Sequence, residues 1–120
     1  MDRQEKNAAA YKILDAAIAW LASHAWCQGH MFKDRFGDDV DTFADLEFEE
    51  PVAACTLGAI ALAAGGDETP EYKRAVWLVA HAVDSLPGLG WGQCERAVTH
   101  WNDNNSRTLA DVVNMLEDVR

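Results

Sequence analysis

The sequence predicts an all-α domain, a compact bundle of about five helices with a long acidic loop after helix one. Apolar residues recur at helical spacing in several stretches, and glycine or proline falls near the ends of those stretches. With 120 residues, of which 49% are apolar and 25% charged, the chain has the composition of one globular unit. We therefore expect a single helical domain over residues 1–120.

Helix one is expected from Gln4 to Trp26. One apolar stripe recurs at alternating steps of three and four, and its members are Tyr11, Leu14, Ile18, Leu21 and Ala25. Gly29 follows shortly after the stripe ends and is a natural stop signal.

Helix two is expected to begin at Pro51, a residue favoured at the first helical position, and to end at Gly65 and Gly66. Its residues are apolar nearly all round, which predicts a central helix packed on several sides. Gly58 in its interior would let a neighbouring helix approach closely.

Capping signals mark helices three and five. Thr69 is the expected N-cap of helix three, which should end at Pro87–Gly88. A shorter helix four is expected over Gln93–Trp101. Thr108, with Asp111 three residues on, forms a weaker capping box for helix five.

Residues 30–50 are acidic, with aromatic residues between the carboxylates. The acidic side chains are Asp34, Asp38, Asp39, Asp41, Asp45, Glu47, Glu49 and Glu50. The aromatic ones argue against disorder because something must cover them, and they are Phe32, Phe36, Phe43 and Phe48. The alternation of polar and apolar residues over 45–49 predicts a short extended piece.

The charge balance restricts the classes of partner. A formal charge of −10 repels nucleic acid phosphates and anionic lipid and favours basic partners, although solubility alone would also explain it. The N-terminus does not look like a signal peptide, and the longest apolar run, 51–64, is too short to cross a bilayer. We expect a cytoplasmic protein whose three cysteines are reduced, with no direct binding of nucleic acid or membrane.

Three short motifs are recognisable in order along the chain. The first is Trp-Cys-Gln-Gly at 26–29, the second Cys-Thr-Leu-Gly-Ala at 55–59, and the third Trp-Asn-Asp at 101–103 followed by Arg-Thr at 107–108. Together they resemble a family of small proteins of unknown function found in actinobacteria and their bacteriophages. The resemblance covers most of the chain outside the start of helix one and the acidic loop. It implies no catalytic residue, but it raises the hypothesis that a phage encodes the protein.

Two patterns of reactive residues could form sites. His24, Cys27 and His30 are spaced by three and could hold zinc with another cysteine, but their spacing is not a common zinc signature. A nucleophilic pair of Cys27 with a histidine would need an electropositive setting, which this chain does not readily provide. A buried thiol and two surface imidazoles explain these residues better, so we predict no catalytic residue, metal or cofactor.

A polar cluster surrounds the third motif. Asn102, Asp103 and Arg107 are typical of a turn scaffold, with an ion pair across the turn and Trp101 anchoring the helix end. Alternatively, these three residues and His100 line a polar pocket. The turn scaffold is favoured because asparagine and aspartate are ordinary turn residues.

The function predicted from these observations is that of a non-enzymatic acidic module for protein interaction. The carboxylates expected to contact the partner are Asp38, Asp39, Asp41, Asp45, Glu47 and Glu49. If a phage encodes the chain, the partner would be a host protein, and self-association into a homo-oligomer is a further expectation for a domain so rich in aromatics. The alternatives are a small ligand-binding or enzymatic domain using residues 101–103, and a mimic of DNA.

Overall fold

The computed structural model describes residues 3–47, 49–84 and 89–120, which form five α-helices and one small sheet. The helices are α1 (Arg3–Ser23), α2 (Thr56–Ala64), α3 (Pro70–Val83), α4 (Trp91–Asn102) and α5 (Leu109–Val119). The strands are β1 (Ala25–Trp26), β2 (Phe32–Lys33), β3 (Asp39–Val40) and β4 (Ala53–Ala54). Phe48 and the predicted end of helix three at 87–88 lie outside the described residues.

The sheet makes the fold α+β, so the prediction of an all-α bundle is wrong. Its strand order is β1-β4-β2-β3, with β1 parallel to β4 and the other two pairs antiparallel. Each strand has two residues, too few for an alternating pattern to show in the sequence. Only tertiary pairing reveals them, as in the bond from the Cys27 amide to the Ala54 carbonyl at 3.0 Å.

Helix α1 ends at Ser23, three residues before the predicted end at Trp26. The hydroxyl of Ser23 bonds back to the carbonyls of Ala19 and Trp20 at 3.2 and 3.1 Å, in the last turn of the helix. The next residues turn into β1, where the Ala25 amide bonds the Val52 carbonyl at 3.2 Å.

Helix α2 begins at Thr56, not at Pro51, because Ala53–Ala54 are taken into the sheet. The Cys55 thiol is its N-cap and accepts from the Gly58 amide at 3.4 Å. Its end is as predicted, with Gly65 at φ +78°. The burial of every residue over 56–61 confirms the expected central position.

The close approach predicted at Gly58 is real, but its neighbour is not a helix. A Cβ at this position would lie 2.5 Å from the Met31 carbonyl oxygen and 2.8 Å from Phe32 Cε1. Glycine therefore lets α2 lie directly on β2 and the residue before it, joining the helical layer to the sheet.

The predicted starts of helices three and five are confirmed. The Thr69 hydroxyl accepts from the Tyr72 amide at 3.1 Å. Thr108 and Asp111 exchange two bonds of 3.0 and 3.2 Å, which is the reciprocal capping box. None of the described helices is both long and apolar enough to span a membrane.

The acidic segment is not extended where the alternation predicted. Residues Ala44–Leu46 form a 3₁₀ turn, and Glu47 follows with a left-handed φ of 52°. The extended pieces are β2 and β3 instead, and both lie earlier in the segment. Phe32 and Leu46 are buried, whereas Phe36 is 73% exposed, so the expectation that all these aromatics are covered is wrong for Phe36.

Candidate functional site

A buried amide at the end of α4 is the best-connected polar side chain of the protein's interior. Asn102 is fully buried, and its Oδ1 accepts from the Trp26 indole Nε1 at 2.7 Å and from the Thr56 amide and hydroxyl at 2.9 and 2.7 Å. Its Nδ2 donates to the Cys27 carbonyl at 3.2 Å and to the Asp103 carboxylate at 2.9 Å. Every polar atom of this side chain is satisfied.

The neighbouring residues extend this network. Gln28 Nε2 donates to the carbonyls of Asn102 and Asn104 at 2.9 and 2.8 Å. The Gly29 amide donates to the Asp103 carboxylate at 3.0 Å. The three motifs, far apart in sequence, thus meet at one point and tie β1, the start of α2 and the end of α4 together.

The four residues predicted for a polar pocket separate into two groups. Asn102 is buried in the network, and Arg107 turns to Trp101, donating to its carbonyl at 2.9 Å with the guanidinium carbon 3.9 Å from the ring centre. Asp103 binds the Gly29 amide, not the predicted Arg107 partner. Only His100 and Asp103 line the adjacent cleft.

The polar cleft has a volume of about 720 Å³ and lies between α4, the start of α2 and the loops on either side of β2 and β3. Such a volume is typical of small-ligand sites. Its charged and titratable walls are Asp41, Asp67, Glu95, Asp103, Arg96, His30 and His100. Below the cleft, the buried Tyr72 hydroxyl donates to Glu95 at 3.1 Å. Burial and the Glu95 charge raise the pKa of Tyr72, which keeps its proton in place.

The cysteines are poor nucleophiles. Burial raises the pKa of Cys27 to about 11 and that of Cys55, which lines the cleft, to about 12. Burial also raises the pKa of Cys94. All three are free, buried thiols, and a thiol that stays protonated near neutral pH lacks the thiolate needed for attack.

The histidines that could hold zinc contact different partners. His30 bonds Asp41 through Nδ1 at 2.8 Å and Asp39 through Nε2 at 3.0 Å, so both its ring nitrogens are engaged. His24 stacks on Trp20 with ring centres 4.1 Å apart and bonds Glu50 at 2.9 Å. Over residues 3–47, 49–84 and 89–120, no three such side chains gather around a point that could hold a metal.

A tight β-hairpin, residues 32–40, carries the exposed phenylalanine, and we call it the acidic hairpin. Asp34 Oδ1 accepts from the Phe36 and Asp38 amides at 2.9 and 3.0 Å. Gly37 takes φ +83°, a left-handed conformation that suits glycine. The guanidinium of Arg35 lies 4.8 Å from the Phe36 ring centre. The hairpin therefore holds Phe36 outward on an ordered turn.

Sequence reasoning missed this hairpin, although a signal was present. Aspartate at the first position and glycine at the fourth, as in Asp34-Arg35-Phe36-Gly37, are typical of a type I turn.

The six carboxylates predicted for partner binding have different surroundings. Asp39 bonds Lys33 at 2.8 Å, Asp41 bonds His30, and Glu49 lies 3.5 Å from Arg35. The Asp39–Lys33 bond lowers the pKa of the carboxyl and raises that of the amine. The remaining three are exposed, at the hairpin tip or around the 3₁₀ turn, and are Asp38, Asp45 and Glu47.

The fold and the network define a small α+β domain in which one buried asparagine links β1, the start of α2 and the end of α4. The chain belongs to the family of unknown function DUF6197, whose model matches residues 5–120. Comparison with curated proteins finds no match, and comparison with solved structures finds none either.

Proposed function

We propose that the protein is a non-enzymatic interaction module whose acidic hairpin contacts a protein partner. The observation that carries this function is Phe36, which is 73% exposed on an ordered turn. Exposed aromatic side chains on rigid elements are favourable anchors at protein interfaces, because little conformational entropy is lost when they bind.

The charges around Phe36 suit a basic partner. Asp34 and Asp38 flank it beside one cation, Arg35, and the chain as a whole carries −10. Complementary charge speeds encounter and rejects wrong partners, while the apolar anchor supplies affinity. If a phage encodes the chain, a cytoplasmic host protein with an apolar pocket rimmed by lysine or arginine fits this surface.

Site-directed photo-crosslinking tests this function. Phe36 is replaced by p-benzoylphenylalanine, and the same analogue replaces the exposed Ala16 of α1 in a matched control. After irradiation in an extract of the source cells, we expect a specific crosslinked polypeptide from position 36 and none from position 16. Adding Asp38→Asn should weaken the crosslink. Equal products from both positions, or none from position 36, would remove the hairpin as the contact surface.

The polar cleft supports a second function, the binding of a small polar ligand. Its volume of about 720 Å³ and its mixture of carboxylates with Arg96 and two histidines would fix the orientation of such a molecule. Mass spectrometry of small molecules released from the purified protein tests this, with Arg96→Ala as the variant. A stoichiometric compound lost in the variant would support the cleft, and its absence from both would count against it.

A mimic of DNA receives less support. Such a mimic needs carboxylates ordered like phosphates, but Asp39 and Glu49 are paired with Lys33 and Arg35, and Asp41 bonds the His30 ring. The charges of Asp39 and Glu49 are partly neutralised, and no comparable stripe remains among the predicted residues.

A further inference from the structure

A groove between the N-terminal part of α1 and α3 differs in charge from the chain as a whole. It has a volume of about 530 Å³ and is lined by Lys6, Ala9, Pro70, Glu71, Lys73, Arg74 and Trp77. Three cations against one carboxylate give this lining a charge of +2 on a chain of −10. We call it the basic groove.

The basic groove also has an apolar floor and a fixed cation. Ala9, Pro70 and Trp77 supply apolar surface, and Trp77 is 36% exposed. The guanidinium of Arg74 lies 4.4 Å from the Trp77 ring centre, and its Nε donates to Asn7 Oδ1 at 2.8 Å. The groove is thus shaped for an apolar side chain flanked by carboxylates.

The acidic hairpin has the complementary composition. Residues 32–40 carry three aspartates against Lys33 and Arg35, a charge of −1, and Asp34 and Asp38 flank the exposed Phe36. The chain therefore carries both an acidic projection with an aromatic tip and a basic groove with an apolar floor.

The hairpin does not fill the groove of its own molecule. Phe36 is exposed, and the turn that carries it is fixed by the bonds from Asp34. No residue of the hairpin lines the groove of the same molecule. A contact between these two surfaces, in this conformation, is therefore a contact between copies.

We infer that the basic groove receives the acidic hairpin of a second copy of the chain. Phe36 packs on Ala9, Pro70 and Trp77, while Asp34 and Asp38 face the lysines and Arg74. This rests on the proposed function, since it names the partner of the same hairpin. The two contacting surfaces differ, so the interface is head-to-tail. A dimer therefore leaves one hairpin and one groove unused, and further copies can bind there to form rings or chains.

A nucleic acid is the less favourable occupant of the basic groove. The −10 field of the molecule repels a polyanion along its whole length. A second copy is repelled as well, but its hairpin also brings an apolar side chain to the floor of the groove. At ~0.15 M salt the Debye length is about 8 Å, so the net repulsion between two copies is screened more than the contact pairs.

Complementation between two disabled copies tests the inference by sedimentation velocity at physiological salt. The hairpin variant is Phe36→Ala, the groove variant combines Lys73→Glu with Trp77→Ala, and Lys12→Glu on the exposed face of α1 is the matched charge control. We expect concentration-dependent assembly for the wild type and the control, and monomers for each variant alone. An equal mixture of the two variants should form dimers and nothing larger, because one functional hairpin and one functional groove remain.

Other outcomes overturn the inference. A wild type that stays monomeric at high concentration would exclude the second copy, and so would a mixture that stays monomeric while the wild type assembles. Binding of an end-labelled DNA duplex that is lost in the groove variant would show that the groove binds nucleic acid instead of a second copy. If the crosslink from position 36 still reaches another polypeptide, the proposed function stands without this partner.

Discussion

The indole of Trp26 donates a 2.7 Å hydrogen bond to the Oδ1 of Asn102, 76 residues further along the chain. The same oxygen accepts from the backbone and the hydroxyl of Thr56. One amide thus connects the first strand, the central helix and the end of α4. Removing the amide would leave the two Thr56 donors buried without a partner and the half-buried Trp26 indole without its bond.

Asn102→Ala should destabilise the protein strongly. It would leave the Trp26 indole and two donors of Thr56 unpaired, and each buried donor costs about 1–3 kcal/mol, so we expect a loss of about 3 kcal/mol or more. Urea denaturation measures the free energy of unfolding. Asn105→Ala, at an exposed position, is the control and should change it by less than ~0.5 kcal/mol. A loss equally small for Asn102→Ala would contradict the role of the network.

Gly58→Ala should destabilise the contact between α2 and the sheet. The added Cβ would meet the Met31 carbonyl oxygen at 2.5 Å, and overpacking of this kind costs about 1–3 kcal/mol, more than the ~1 kcal/mol gained from helix propensity. Gly92→Ala in α4 meets nothing within 4 Å and should be neutral or slightly stabilising. Thermal unfolding of the two variants compares them directly, and equal midpoints would show that the approach at Gly58 is not tight.

The buried thiols predict a loss of stability at alkaline pH. Their ordinary pKa is 9.0, and burial raises it to about 11 for Cys27 and about 12 for Cys55. The unfolded chain therefore releases these protons first, so the stabilisation is complete below pH 9 and falls as the pH rises towards 11–12. Urea titrations at several alkaline pH values measure this slope, which Cys55→Ala should reduce. An unchanged slope in that variant would argue against the burial of Cys55.

Asp34→Ala should loosen the acidic hairpin without unfolding the domain. Its carboxylate holds the Phe36 and Asp38 amides at the turn, so their hydrogen exchange should accelerate while the free energy of unfolding changes by less than about 1 kcal/mol. Amide exchange followed by NMR measures the exchange rates at the turn, and the slowest-exchanging amides report the free energy of unfolding. Exchange at α2 amides is the internal control and should stay slow, and unchanged exchange at the hairpin would mean that Asp34 does not order it.

Helices were predictable because their signals are local. Thr69, Thr108 and Gly65 cap helices in the structure as their residue types predict. The strands were not predictable, because each has only two residues and depends on partners elsewhere in the chain. The early end of helix one and the late start of helix two have the same cause, since both neighbouring segments are taken into the sheet.

In the candidate site, too, local features were predictable and contacts between distant residues were not. The turn residues around Asn102 were identified, but the sequence could not show that Trp26, Thr56 and Asn102 meet, since no spacing encodes that contact. Phe36 was expected to be covered, because hydropathy alone does not distinguish a buried aromatic from a displayed one. The turn signature of Asp34 and Gly37 was the local clue that it is displayed.

Native mass spectrometry of the protein purified gently from its own cells tests the central claim most directly, with the wild type and Phe36→Ala compared side by side. We predict that the wild type carries a stoichiometric second polypeptide, either a partner or another copy, and that Phe36→Ala loses it while staying folded. The same bound polypeptide on both proteins, or a wild type that carries only a small molecule, would contradict a binding role for the acidic hairpin.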